Sequence, residues 1–145
     1  MTAPDQSRID ALVHFYETLT ADRAGGFDFY YAEDAYFKDP FNEVRRLEDI
    51  REIFARMFLQ VADPRFVVKE RVGDGRGLIL VWDLSFRMRS WKPQQVQVIH
   101  GVSHLRFRDD GKVNYHRDYW DSGEELYEKL PLIGGAVRFL RRIIG

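Results

Sequence analysis

The sequence predicts an α+β domain: a helical layer first, then a curved antiparallel sheet, with a hydrophobic pocket between them. Three observations carry this. Apolar residues recur at helical spacing through the first third of the chain. After Asp63-Pro64 the period changes from 3.6 to 2. The later strand-like runs are joined by short turns, the strongest being Asp109-Asp110-Gly111-Lys112, with Asp-Gly at its centre. Helices followed by hairpin-linked strands predict helices packed on one face of one sheet.

In chain order, Ser7 with Asp10 three residues on predicts a helix start of the capping-box kind. Ile9, Leu12, Val13, Tyr16 and Leu19 then form one stripe of an amphipathic helix. Tyr16 on that stripe is either a core tyrosine or a hydroxyl aimed into a pocket, and in both cases its O–H needs a partner. Ala24-Gly25-Gly26 breaks the helix. Phe27 to Ala32 predicts a short second helix, and Ala35 to Asp39 a short strand. Pro40 holds Asp39 out of helical geometry, so its carboxylate sits at a strand end. Leu47, Ile50, Phe54, Met57 and Phe58 predict a further helix, with Ile53 beside the stripe and Glu48 and Asp49 suiting its N-terminal dipole. Phe66 to Val72, Leu78 to Arg89, Val96 to Arg108 and Val113 to Asp121 predict four strands. Trp82, Leu84, Phe86 and Met88 share one face of the second of these. Beyond Asp121, residues 122–145 predict a helical extension: a short helix opened by Ser122-Gly123-Glu124-Glu125 and stopped by Pro131, then a basic, apolar tail. That tail is expected to pack on the domain or lid the pocket in preference to lying on a membrane.

The bulk numbers bound the function classes. The 145 residues fit one domain, 1–145, and 45% hydrophobic with 14% aromatic residues suffice for one core with a lined cavity. Net charge is −1, from 22 Lys and Arg against 23 Asp and Glu, which gives no electrostatic reason to expect nucleic acid. There is no cysteine, so disulfides and thiolate chemistry are excluded. The polar N-terminus carries no signal-peptide pattern, and no stretch reaches the roughly 18 apolar residues of a membrane span. A cytoplasmic location is the expectation.

The Asp-Gly turn sets a register. With Asp110 and Gly111 as a two-residue loop, Leu105 faces His116, Ser103 faces Asp118 and Gly101 faces Trp120. Those residues share the more apolar face with Ile99 and Phe107. His116 and Asp118 therefore fall two residues apart on the buried face, where a carboxylate is costly unless paired or protonated. Either a structural ion pair or a pocket role accounts for it. His104 and His116 point to opposite faces, which argues against a metal site. No phosphate loop precedes a helix and no serine has a nucleophile-elbow setting.

These residues and their order resemble the nuclear transport factor 2-like superfamily, in particular its SnoaL-like (polyketide cyclase) and ketosteroid-isomerase-like branches. The likeness runs from the first helix to Asp121. Asp39-Pro40 matches the isomerase's base, Tyr16 its oxyanion tyrosine, Trp82, Leu84 and Phe86 its pocket strand, and Trp120 its last-strand aromatic. Ser103 stands where the isomerase has a protonated aspartate, and Asp118 matches the acidic residue on the cyclase side of the pocket. The resemblance implies a cone-shaped sheet and a deep apolar pocket for a small hydrophobic ligand. It also implies cofactor-free isomerase, cyclase or dehydratase chemistry. Asp39 or Asp118 would be the base, His116 its partner, and Tyr16 and Ser103 would stabilise an enolate. The alternative is a ligand-binding or dimerisation module without catalysis. The outer sheet face, with Tyr115, Tyr119, His100 and His104, is the expected homodimer surface.

Overall fold

The computed structural model describes residues 4–89 and 92–121. The expected extension over 122–145 lies outside the described residues. Helix α1 spans Gln6–Glu17, a 3-10 turn follows over Ala21–Gly26, α2 covers Phe27–Tyr30 and α3 Leu47–Gln60. The strands are β1 (Tyr31–Lys38), β2 (Glu43–Val44), β3 (Val61–Asp74), β4 (Gly77–Met88), β5 (Val96–Phe107) and β6 (Val113–Tyr119). They form one six-stranded sheet in the order β2-β1-β6-β5-β4-β3. The sheet is mixed where an antiparallel one was expected, because β1 runs parallel to β6. A parallel pair needs a long crossover, and here α3 with β3, β4 and β5 supplies it.

The cap of helix α1 lies two residues before the expected one. Asp5 is the N-cap, and its Oδ1 accepts from the Arg8 backbone N–H at 2.8 Å and from the Ser7 hydroxyl at 2.9 Å. An aspartate there satisfies a free helical N–H and adds negative charge at the positive end of the dipole, so Ser7 becomes a donor to the cap. Its buried face is Leu12, Val13, Phe15 and Tyr16. Helix α2 is shorter than expected, since Tyr31 and Ala32 already belong to β1. Helix α3 buries Leu47, Ile50 and Phe54, with Ile53, Met57 and Phe58 partly covered.

Strand β3 begins five residues before Phe66 because a bulge absorbs Asp63 and Pro64, which together oppose Phe86 between the pairs Ala62–Arg87 and Arg65–Ser85. Asp63 adopts φ 52°, and Arg87 reaches its carboxylate. Lys69 is the extra residue of a second bulge, between Val68–Trp82 and Glu70–Val81. Bulges increase local twist, and two in one strand curve the sheet around the helices.

The β5–β6 hairpin matches the expected register through a compensation. Leu105 pairs with His116 and Ser103 with Asp118. The loop, however, has three residues: the Gly111 N–H donates to the Arg108 carbonyl at 2.9 Å and the Arg108 N–H to that of Lys112 at 2.8 Å, with Gly111 at φ 84°. Asn114 is then unpaired between Phe107–Val113 and Arg106–Tyr115. The extra loop residue and the bulge cancel, so the inward set Ile99, Gly101, Ser103, Leu105 and Phe107 is buried.

The core lies between this face and the helices. Phe27 meets Phe15 edge-on at 5.0 Å and Phe54 at 4.9 Å, and Phe37 packs on His116 at 4.9 Å between ring centres. On the opposite face Tyr36 stacks on Tyr115 at 5.2 Å, and Arg106 and Arg117 lie over Tyr115 and Tyr119.

Candidate functional site

A cavity of about 550 Å³ opens between α3 and the concave face of the sheet. Phe37, Phe54, Phe66, Trp82, Leu84, Phe86 and Trp120 line it, with Met57 and Met88. Its carboxylates are Asp39 and Asp118, and Asn42, Arg56 and Gln60 are its other polar side chains. A second, much smaller void of about 20 Å³ lies deeper, bounded by Tyr16, Ser103, His116 and Asp118 together with Phe54, Phe66, Val68, Leu80 and Trp82. That is room for one water molecule.

The residues expected to act together are thus divided between two spaces. Asp39, Trp82, Leu84, Phe86, Trp120 and Asp118 meet at the larger cavity. Tyr16, Ser103 and His116 meet Asp118 and Trp82 at the smaller one. Among the described residues, Asp118 is the only carboxylate that lines both.

The two aspartates are held differently. Asp39 closes the β1–β2 turn: its Oδ1 accepts from the backbone N–H of Phe41 at 2.8 Å and of Asn42 at 2.7 Å, and the Asn42 amide reaches both of its oxygens at 3.1 and 3.2 Å. Aspartate side chains close such turns by capping the backbone two residues on. Asp118 is held from inside the fold. The Trp82 indole N–H donates to Ser103 Oγ at 2.8 Å, and the Ser103 hydroxyl donates to Asp118 Oδ1 at 2.5 Å. His116 Nε2 lies 2.6 Å from the same oxygen, and its Nδ1 lies 2.6 Å from the Tyr31 hydroxyl. Tyr31 in turn meets the Tyr16 hydroxyl at 2.5 Å. Both bonds to Asp118 fall on Oδ1, and Oδ2 makes none among the described residues.

The donors order this chain. A carboxylate only accepts, so the neutral imidazole of His116 that fits this arrangement carries its proton on Nε2 and presents Nδ1 as an acceptor to Tyr31. Tyr31 then accepts from Tyr16, and every hydroxyl has a partner. Burial pushes the Tyr16 and Tyr31 hydroxyls well above the ordinary tyrosine value of 10.0, with the charge of Asp118 adding to both. Both remain neutral donors across the physiological range. Tyr31, 1% exposed, is the hydrogen-bonding residue of the site that sequence reasoning missed, and Phe37, Phe54 and Phe66 are lining residues it did not single out.

These two tyrosines make alkaline stability a measurable reporter. Below pH 10 folded and unfolded chains hold both protons, so the network's contribution is fully present. Above pH 10 the unfolded chain releases them and the folded chain does not, so stability falls as pH rises. Each tyrosine adds about 1.4 kcal/mol per pH unit to that slope. Urea unfolding between pH 9 and 11.5 is expected to give a Tyr16→Phe variant whose slope matches wild type at pH 9 and becomes shallower by about 1.4 kcal/mol per unit, nearly the full effect of one group, at pH 11.5. An unchanged slope would mean that Tyr16 ionises alike in both states.

A curved sheet packed against three helices among the described residues is the fold of solved structures described as ketosteroid isomerase-like and nuclear transport factor 2-like. The family model of the SnoaL-like domain matches residues 12–116, and the chain belongs to that family. Among curated proteins none matches it. Its fold is shared by a hypothetical protein with a ketosteroid isomerase-like fold from Catenulispora acidiphila, solved in complex with trimethylamine (15% identity, 90% of this chain and 96% of that one, TM-score 0.71). It is also shared by TsrD from Streptomyces laurentii (17%, 86% and 96%, TM-score 0.69). A protein from Shewanella denitrificans assigned as a SnoaL-like polyketide cyclase is similar as well (17%, 84% and 98%, TM-score 0.66). At these identities the likeness establishes the fold. No helix among the described residues is long and apolar enough to cross a membrane.

Proposed function

We propose that the protein binds a small, mostly apolar molecule in the 550 Å³ cavity and that Asp118 exchanges a proton with it without a cofactor. The observation that carries this reading is the asymmetry of Asp118. Its side chain is 13% exposed, one oxygen is fixed by Ser103 and His116, and the residue lines the cavity. A carboxylate held on one oxygen can take a proton on the other without losing its anchor. The 4%-exposed imidazole donates to that anchor and keeps the carboxylate oriented. Asp39 is less suited as the base, because its Oδ1 is already committed to three N–H groups of its own turn.

A second reading, binding without catalysis, is favoured by the direction of the donors. Tyr16 donates to Tyr31 and Ser103 donates to Asp118, and neither lines the larger cavity. An enolate oxygen there would have to find its donors in Asn42, Arg56 or Gln60 and not in Tyr16 or Ser103.

One experiment separates the two. Small cyclic ketones incubated with the protein in D2O are followed by NMR for exchange of the protons next to the carbonyl. Exchange faster than in buffer, reduced about 100-fold or more in Asp118→Asn and far less in Asp39→Asn, supports Asp118 as the base. Ketones that bind but exchange no faster than in buffer support the binding module.

A further inference from the structure

We propose that Phe66 is the specificity-determining wall of the cavity, the side chain that sets how long a ligand the protein accepts. The inference rests on the reading of the larger cavity as the ligand site.

The larger cavity and the small void share four lining residues: Phe54, Phe66, Trp82 and Asp118. These four make the partition between the spaces, and three of them are fixed. Phe54 is 6% exposed and wedged in the core against Phe27 and Phe37, at 4.9 and 6.0 Å between ring centres. Trp82 is 5% exposed, held by its indole bond to Ser103 and lying directly over Gly101. Asp118 is bonded to Ser103 and His116.

Phe66 has no such anchor. It is only partly buried, and its backbone runs between the two bulges of β3, at Asp63-Pro64 and at Lys69. Two residues on, the Val68 N–H donates to the Glu17 carboxylate at 2.9 Å. The ring meets Trp82 edge-on, at 5.4 Å and 85°. It therefore closes the inner end of the larger cavity as the one apolar panel of the four that is only partly buried. Shortening it joins the two spaces, lengthens the cavity and brings the Tyr16 end of the buried chain within reach of a ligand. Enlarging it shortens the cavity.

Straight-chain primary alcohols from butanol to tetradecanol serve as neutral probes of length, with binding read from tryptophan fluorescence, since Trp82 and Trp120 line the cavity. In the wild type, affinity is expected to rise about fourfold per added methylene up to a limiting length and then to stop rising. At the first alcohol beyond that limit, Phe66→Ala is expected to bind about fourfold tighter than the wild type. Phe66→Trp is expected to reach its limit at a shorter alcohol. Phe66→Leu gives the same direction with less cavity, and decides the matter against Phe66→Trp if the alanine variant does not fold. One limiting length shared by the wild type and all folded variants would overturn the proposal while leaving the cavity as the ligand site. Alcohols of every length failing to bind the wild type would remove the cavity reading and this proposal together.

Discussion

Replacing Gly101 with alanine is expected to lower stability by about 4 kcal/mol, a fall in melting temperature of roughly 10 °C. Gly101 lies directly across from Trp82 in the β4–β5 ladder. A Cβ at that position would sit 2.3 Å from Cη2, 2.5 Å from Cζ2 and 2.7 Å from Cζ3 of the tryptophan ring. No real contact is that short, so the ring must move. It has little freedom, because its N–H is bonded to Ser103 and its edge meets Phe66. Overpacking of this kind costs about 1–3 kcal/mol, and a buried indole N–H stripped of its acceptor costs about as much again. The damage also reaches the site, since Trp82 lines both spaces. A displaced ring fills the cavity and withdraws the support of Ser103, and through it of Asp118. Trp82→Phe in the Gly101→Ala background removes the clash and is expected to be more stable than Gly101→Ala alone. A melting temperature within 2 °C of wild type for Gly101→Ala would show that the sheet opens to admit the methyl.

How far such features were legible in the chain follows from where their causes lie. The inward set on β5 and β6 could be read because strand alternation and one Asp-Gly turn fix it locally. It survived an error in loop length only because Asn114 bulges. Tyr16 was legible as a stripe position on α1. Tyr31 was not. It follows Phe27-Asp28-Phe29-Tyr30 without a break in composition, and β1 does not alternate cleanly, since its pairing with β6 shifts between Tyr31 and Tyr36. Its partner His116 is 85 residues away across a parallel pair that no hairpin announces. The division into two spaces was equally hidden. It depends on how the Trp82 side chain lies over a glycine on the next strand, and no single segment carries that information.

The second large effect is expected from His116, and it tests whether the polar network exists for stability or for chemistry. His116→Leu is expected to cost about 3–5 kcal/mol, because a buried carboxylate loses its partner. Asp118→Leu should cost less, about 1–3 kcal/mol, since it leaves one imidazole N–H and the Ser103 hydroxyl without an acceptor. If the two side chains act as a pair, the double variant removes charge and partner together. It is then expected to be no less stable than His116→Leu alone, a coupling of about 2 kcal/mol between neighbours. Urea unfolding at neutral pH measures all four corners of the cycle. Costs that simply add would show that the imidazole and the carboxylate do not depend on each other. Coupling makes a further demand: the double variant recovers stability, but has no carboxylate with which to exchange a proton. Only a double variant as stable as the wild type would show that the fold has no structural need for the pair. The histidine and aspartate on the inward face, tied by tyrosines to one helix and by Ser103 to Trp82, would then fit the proton exchange proposed for Asp118, whereas a double variant far below wild type would give the pair a structural role.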